Sequence, residues 1–337
     1  MQLSRSQLRQ IITDYVHGSD HPDLVVYRRD FGTKFDLDRW IETMERNCNL
    51  GQLQEKRILE VGCGFGWDAA GLSLVGNNTV VATDILPSMI DGARECIESS
   101  IAKGHNLKVE ARQGDICSLD LPDTSFDGIY SSEAIEHVHD LTAMFARCYQ
   151  LLKPGGRMLI INDSNQWNSE FREATFEMWK ERDESWEHAR WLTAEIRPIE
   201  HANAKPYAAM REQIIRESGI EFDDTSISKL VAATAGMIRP GILEAATIYK
   251  HDRILPERPK FSWCRNPETG EYAERLLDPF ELRAMIKAAG FKNVKLRHGF
   301  NKFPHRLLNG IAFRPLNKFL FDRRGAFILI ADKPSGS

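Results

Sequence analysis

Between residues 57 and 163, short apolar runs alternate with stretches whose apolar residues fall at helical spacing. The runs lie at 57–61 (RILEV), 79–84 (TVVATD), 108–113, 126–131 and 157–162. Each is rich in β-branched or aliphatic residues and flanked by polar ones, as a buried strand is. Helical patterns fall near 67–74, 87–103 and 141–152, with a short one at 116–119. Strand–helix repetition with short connections predicts a parallel sheet covered on both faces. LKPGGR at 152–157 reads as a helix end and a turn, with Pro154 stopping the helix and two glycines easing the bend.

The pattern differs on either side of this block. Leu3 to Tyr15 has apolar residues at 3, 8, 11, 12 and 15, which predicts an amphipathic helix ended by His21-Pro22. A second helix is expected over 35–48 around Trp40, Ile41 and Met44. Residues 164–275 hold Trp167, Trp179, Trp186, Trp191 and Trp263 among helical stretches at 168–191, 204–218 and 226–236. Prolines at 198, 206, 240, 256 and 259 read as breaks between them. A connection this long is usually a functional lid or an added subdomain. After Asp278, DPFELRAMIKAAGF predicts an N-capped helix, followed by strands at NVKLRHG and GAFILIADKP.

Composition narrows the class. Hydrophobic content of 42% and charged content of 27% exclude wholesale disorder, and 337 residues suffice for one large domain with an insertion or for two small ones. A net charge of −4 gives no electrostatic case for nucleic-acid binding. MQLSRSQLRQ lacks the apolar core of a signal peptide, and FILIA is far too short to cross a bilayer, so a cytoplasmic protein is expected. The six cysteines form no CxxC pair and read as buried reduced thiols. Residues 303–324 place Arg306, Arg314, Lys318, Arg323 and Arg324 beside a helical apolar face. Docking on the protein itself or on a twin subunit, giving a homodimer, suits this segment better than contact with a membrane surface.

The chemistry centres on 57–73, RILEVGCGFGWDAAGLS. Gly62, Gly64 and Gly66 lie between a strand and a helix, a geometry in which the backbone approaches a ligand and the helix N-terminus faces it. A dinucleotide fingerprint would need its third glycine where this chain has Trp67. Asp84 ends the second run, where an acid can accept both hydroxyls of a ribose. Asp115 follows the third run, placed to accept from an adenine amino group.

The runs LEVGCGFG, ATDILPSMI, QGDICSLDLPDTSFDGIYSSEAIEHV and LLKPGGRMLI resemble the class I S-adenosylmethionine-dependent methyltransferases, most nearly the branch acting on small molecules, quinones and sugars. The resemblance covers 57–163 and returns at 276–333. It implies an α/β, Rossmann-like, doubly wound and mostly parallel seven-stranded sheet with an antiparallel last strand. Domains are then expected at 1–56 (a helical cover), 57–163 with 276–337 (the cofactor-binding domain) and 164–275 (a helical, Trp-rich substrate lid between strands 5 and 6). In such proteins the N-terminal cover commonly closes over the cofactor. Tyr15, Tyr27, Arg28 and Arg29 are candidates to reach the site, though packing or surface roles suit them better. Glu60, Gly62, Gly64 and Gly66 should border the cofactor's amino-acid end, Asp84 its ribose, and Ile85 the adenine face. Asp115 and Ile116 should hold the adenine edge, and Ser131 and Ser132 the methionine portion.

For catalysis the stretch SSEAIEHVHD at 131–140 stands out. If a helix begins near Ser132, then Glu133, Glu136 and His137 share one face toward the mouth of the sheet. His137 then serves as a general base with Glu136 orienting it. Alternatively, the triad binds Mg²⁺, as in similar methyltransferases of quinones and small-RNA ends, with His188 or His201 adding a ligand. The bland reading has the acids favouring a helix N-terminus and His137 packing on the cofactor. The expected reaction is O-methylation of a small-molecule or saccharide hydroxyl. C- or N-methylation, and a non-catalytic cofactor-binding module, are the alternatives.

Overall fold

The computed structural model describes residues 3–21, 24, 37–185, 205–299, 307–308, 314–323 and 325–336. The expectations placed on Tyr27, Arg28, Arg29, Trp186, His188, Trp191, His201, Arg306 and Arg324 lie outside these residues.

The apolar runs form the strands β1 (Arg57–Val61), β2 (Thr79–Asp84), β3 (Val109–Gln113), β4 (Phe126–Ser132), β5 (Leu152–Asn162), β6 (Lys292–His298) and β7 (Phe327–Asp332). They make a seven-stranded sheet in the order β3-β2-β1-β4-β5-β7-β6. β1 to β5 pair in parallel, while β7 runs antiparallel to both β5 and β6. Strand order reverses at β1, which lies between β2 and β4, so the crevice for a ligand opens at its carboxyl end.

Successive residues of the strands face opposite layers, as their period of two requires. Ile58, Val80, Leu159 and Ile328 enter one core with the helices α1 (Arg5–Val16), α2 (Leu37–Gly51), α3 (Trp67–Gly76) and α4 (Pro87–Ala102). Their neighbours Leu59, Val81, Ile160 and Leu329 enter the other, with α5 (Leu141–Leu151).

Between β5 and β6 lie α6 (Ser169–Glu184), α7 (Tyr207–Glu217), α8 (Asp224–Ala233), α9 (Arg239–Asp252) and α10 (Pro279–Ala288). α7, α8 and α9 share a small core around Ile214, Leu230 and Ile242. Trp179 of α6 lies in a second one with Tyr207, Cys264 and Leu276. The two ends of this segment are clasped: Asn165 pairs with Leu277, Gln166 N–H donates to Leu277 O and Leu277 N–H to Ser164 O. The chain leaving β5 and the chain returning to β6 therefore meet at the carboxyl end of the sheet. The last helix, α11 (Arg314–Arg323), buries Leu320 and Phe321 in the protein's own core.

Some boundaries differ from the sequence expectations for identifiable reasons. Pro240 does not break a helix but sits in the first turn of α9, where its missing N–H costs nothing. Residues 116–118 form a turn rather than a helix, with Asp115 O accepting from the N–H groups of Ser118 and Leu119. β5 starts at Leu152, ahead of the expected turn, because Leu152 pairs with Phe126 before the register shifts. Asp278 caps α10 as expected, accepting from the N–H groups of Phe280 and Glu281.

Arg211, fully buried in α7, donates from both terminal nitrogens to Asp183 at 2.7 and 2.8 Å and from Nε to Val231 O. Removing one partner from a buried ion pair strands the other. Arg211→Ala is expected to destabilise the inserted helices by roughly 3–5 kcal/mol, seen as faster amide exchange in α6–α9 with the sheet unchanged. Exchange identical to wild type would show that the pair does not hold them together.

Candidate functional site

The glycine turn at 62–66 is held from three sides. Gly62 and Cys63 donate their N–H groups to Thr83 O at the end of β2. The buried Tyr15 hydroxyl of α1 donates to Phe65 O at 2.8 Å. Asp84 accepts from Gly64 N–H at 2.9 Å and from Leu86 N–H at 3.0 Å, which fixes the direction of its carboxylate while leaving it lone pairs.

Two glycines explain the turn's composition. Gly62 has φ +72°, and a Cβ there would lie 2.2 Å from Ala134 Cβ. The turn is thus packed without a gap against the loop that follows β4. Gly64 has φ +51°, and a Cβ there would meet nothing within 4 Å. Steric exclusion fixes the first glycine, and the second opens onto free space beside the α3 N-terminus.

A buried polar group lies beneath this opening. Glu60 is buried and its Oε2 finds no hydrogen-bond partner. Burial, then the nearby charges of Asp68 and Asp84, raise its pKa well above the ordinary carboxyl value. Asp68 accepts from the Tyr130 hydroxyl at 2.7 Å and from the Trp40 indole at 3.4 Å, so α2 and β4 close the same region. At the other end Ile85 is 52% exposed next to Asp84. Gly114 N–H donates to Asp84 O, which places Asp115 beside it, and Cys117 N–H orients the Asp115 carboxylate. An orphaned acid, an open glycine cradle and a directed carboxylate fit an elongated, cationic nucleoside ligand such as S-adenosylmethionine.

Two expected lining residues face inward instead. Ser131 is buried and donates to Val61 O, and Ile116 packs in the core beneath β4 and α5. Ser132, half-buried at the tip of β4, stays at the crevice.

The stretch after β4 departs most from expectation. Residues 133–139 form no helix; Glu133 is left-handed at φ +47°, and turns carry the chain to α5. Glu133 therefore does not join Glu136 and His137. Its carboxylate accepts from Asp163 N–H at 3.0 Å, along the sheet edge. Glu136 is buried and accepts from Asn162 Nδ2 at 2.5 Å. His137 Nε2 lies 3.8 Å from Glu136 Oε1, and His137 Nδ1 lies 3.0 Å from Tyr272 O. A carbonyl only accepts, so Nδ1 carries the proton and Nε2 is the nitrogen left to act as base.

The returning segment supplies what the sequence did not flag. Glu274 joins Glu136 and His137, with one ligand atom from each within 4.8 Å of the others. Its carboxyl accepts from the Ser164 hydroxyl, Ser164 N–H donates to Asn162 Oδ1, and Asn162 in turn holds Glu136. Trp179 Nε1 donates to Glu274 O at 2.7 Å, tying the segment to the buried core of α6. Burial, then repulsion from Glu136, push Glu274 up to about 7. For His137, burial works downward, but the Glu136 carboxylate, Tyr272 O and Glu274 outweigh it and the pKa is raised. The run NDSN at 162–165 was the available signal, being polar residues at a strand's carboxyl end; Glu274 had none.

Asp84→Asn is expected to weaken binding of S-adenosylhomocysteine by roughly 10–100-fold, the equivalent of about 1.5–3 kcal/mol for a hydrogen bond to a charged group. Titration calorimetry measures this, and an unchanged affinity would place the ribose elsewhere. Gly62→Ala must push Ala134 away at positive φ. A loss of roughly 1–3 kcal/mol in urea unfolding is expected from the overpacking, and wild-type stability would contradict the close packing of turn and loop.

The family described as "Methyltransferase domain" matches residues 59–160, from within β1 to within β5. Phosphoethanolamine N-methyltransferase 3 of Arabidopsis thaliana is 35% identical over 135 residues, 40% of this chain and 26% of that one. The ubiquinone biosynthesis O-methyltransferase of Bradyrhizobium sp. (strain ORS 278) is 35% identical over 126 residues, 37% of this chain and 47% of that one. Sterol 24-C-methyltransferase of Pneumocystis carinii (strain B80) is 33% identical over 108 residues, 32% of this chain and 28% of that one. The chain thus spans between about a quarter and about half the length of these relatives. Their names differ in the atom methylated and agree in the transfer itself. What this chain shares with them is the part that builds the glycine turn and the first five strands, so residues 59–160 are a methyltransferase domain of the class I, S-adenosylmethionine-dependent kind.

Proposed function

We propose that the protein moves a methyl group from S-adenosylmethionine to a hydroxyl of a small-molecule or saccharide acceptor, with His137 as general base. S-adenosylmethionine supplies, when bound, a methyl group on a sulfonium that is displaced in line. The glycine turn, Asp84 and Asp115 bind and orient it; Glu60 lies under its amino-acid end. The acceptor lies over the carboxyl ends of β4 and β5, where the inserted helices cover it. Alignment of the two reactants does most of the work.

The observation that carries this reading is the state of His137. Its Nδ1–H is committed to Tyr272 O, and its Nε2 lies beside Glu136 at the mouth of the crevice. Nε2 takes the hydroxyl proton as the acceptor oxygen gains the methyl group. The resulting imidazolium sits beside the carboxylates of Glu136 and Glu274, which stabilise it. A hydroxyl gives up its proton directly to a hydrogen-bonded imidazole, so the arrangement favours a proton-bearing heteroatom. Glu133 serves the fold of the loop through Asp163 rather than the proton.

A second reading rests on the same three groups. Glu136, His137 and Glu274 could hold one divalent cation, such as Mg²⁺, that gathers the acceptor oxygen. Turnover lost with EDTA and restored by Mg²⁺ would select it.

His137→Ala should lower kcat by roughly 10²–10⁴ while the affinity for S-adenosylhomocysteine stays put; a loss below tenfold would remove the base. Because His137 must be neutral to accept a proton and its pKa is raised, kcat should fall as pH drops through that raised value. The acid limb should vanish in His137→Ala. A flat profile in the wild type would contradict the assignment.

A further inference from the structure

Three arginines of the inserted helices have acidic partners. Arg211 meets Asp183, Arg216 meets Glu212 and Asp224, and Arg239 meets Glu217 and Glu268. Arg265 and Arg275 do not. Both are half-buried and stand over one ring, with guanidinium carbons 4.9 and 3.9 Å from the Tyr272 centroid. Their hydrogen bonds go to carbonyls: Arg275 Nη2 to His139 O at 3.1 Å, and Arg265 Nε to Gly270 O at 2.6 Å. Among the described residues, no carboxylate lies within ion-pair distance of either.

Partial burial of two like charges without a counter-ion is costly. Burial, with the charge of Arg265, outweighs the Tyr272 hydroxyl and the more distant Asp140 and lowers the pKa of Arg275, the direction expected of a cation with no carboxylate in contact. The pair also lies beside the reacting centre. Tyr272, whose ring they flank, holds the imidazole of His137 through its carbonyl, and Arg275 reaches the chain two residues further on.

We propose that Arg275 and Arg265 form an anion subsite for the acceptor, which therefore carries a phosphate, sulfate or carboxylate group as well as the methylated atom. The proposal rests on the reading that the acceptor is presented to His137. A guanidinium offers two parallel N–H donors to such an anion, and the Tyr272 ring keeps the planes in place. The acidic side of the site, Glu136 and Glu274, would repel an anion. The acceptor's charge is thereby directed to the arginine end and its uncharged hydroxyl to His137. Specificity comes from that polarity across the mouth.

The test uses the full chain saturated with S-adenosylhomocysteine, titrated with inorganic phosphate, sulfate and acetate. Phosphate should bind in a salt-sensitive manner, and Arg275→Gln should weaken it at least tenfold. Arg265→Gln should weaken it less, and neither variant should alter affinity for S-adenosylhomocysteine. Unchanged phosphate binding in both variants, or a loss of cofactor-product affinity in its place, overturns the subsite. In turnover, matched acceptors with and without the anionic group separate the sources. Arg275→Gln should raise KM about tenfold or more for the anionic member, phosphate- or carboxylate-bearing, with kcat within threefold and the neutral member unaffected. An equal effect on both members also overturns it. Because anion binding is read without turnover, a failed His137 assignment leaves this measurement intact.

Discussion

Gly62 is the joint of the structure. A single methyl group at its α-carbon would overlap Ala134, so the turn bordering the cofactor and the loop carrying Glu136 and His137 pack as one body. Parallel pairing of β1 with β4 brings the two chain segments to the same edge. On the proposed function, contact at Gly62 sets how far apart donor and acceptor sit. In-line displacement is sensitive to that distance, and a rigid joint between adjacent strand ends supplies the alignment that a solvent-exposed loop would lose.

Charge in the crevice is unevenly distributed. Around the glycine turn acids predominate: Glu60 and Asp68 beneath it, Asp84 at the end of β2 and Asp115 after β3. Burial raises the Glu60 pKa above that of a surface carboxyl; on the proposed function, this limits how tightly a sulfonium is held. Such restraint matters because the positive charge disappears in the transition state. After β4, Glu136 and Glu274 crowd one imidazole, and burial, then repulsion from Glu136, lifts Glu274 toward neutrality. The chain of bonds from Glu274 through Ser164 and Asn162 to Glu136 links the returning segment, the end of β5 and the loop after β4. The long insertion thus takes part in building the site, its two ends clasped at Asn165 and Leu277.

Much of this was legible in the chain. Strand runs such as RILEV and FILIAD announced themselves through local composition, and the glycine spacing marked the tight turn between β1 and α3. These signals are short-range, and short-range chemistry determines them. Helix or turn at 133–139 was a different matter: Glu133, Glu136 and His137 have helical spacing, yet Glu133 N–H is drawn to Ile161 O on the sheet edge, and tertiary pairing overrides the local pattern. Ser131 and Ile116 turned inward because strand alternation and core packing, not proximity in sequence, decide which face they take. Glu274 and Tyr272 were invisible for the plainest reason. They lie 138 and 135 residues from Glu136 and His137, and only the clasp between Asn165 and Leu277 brings them there.

The most direct measurement is a crystal structure of the full chain with S-adenosylhomocysteine. Its ribose hydroxyls are expected on Asp84, its amino-acid end over Gly64, and its sulfur turned toward the crevice that His137 faces. A nucleoside bound away from Asp84, or a sulfur pointing away from the loop after β4, would contradict the joint placement of donor and base.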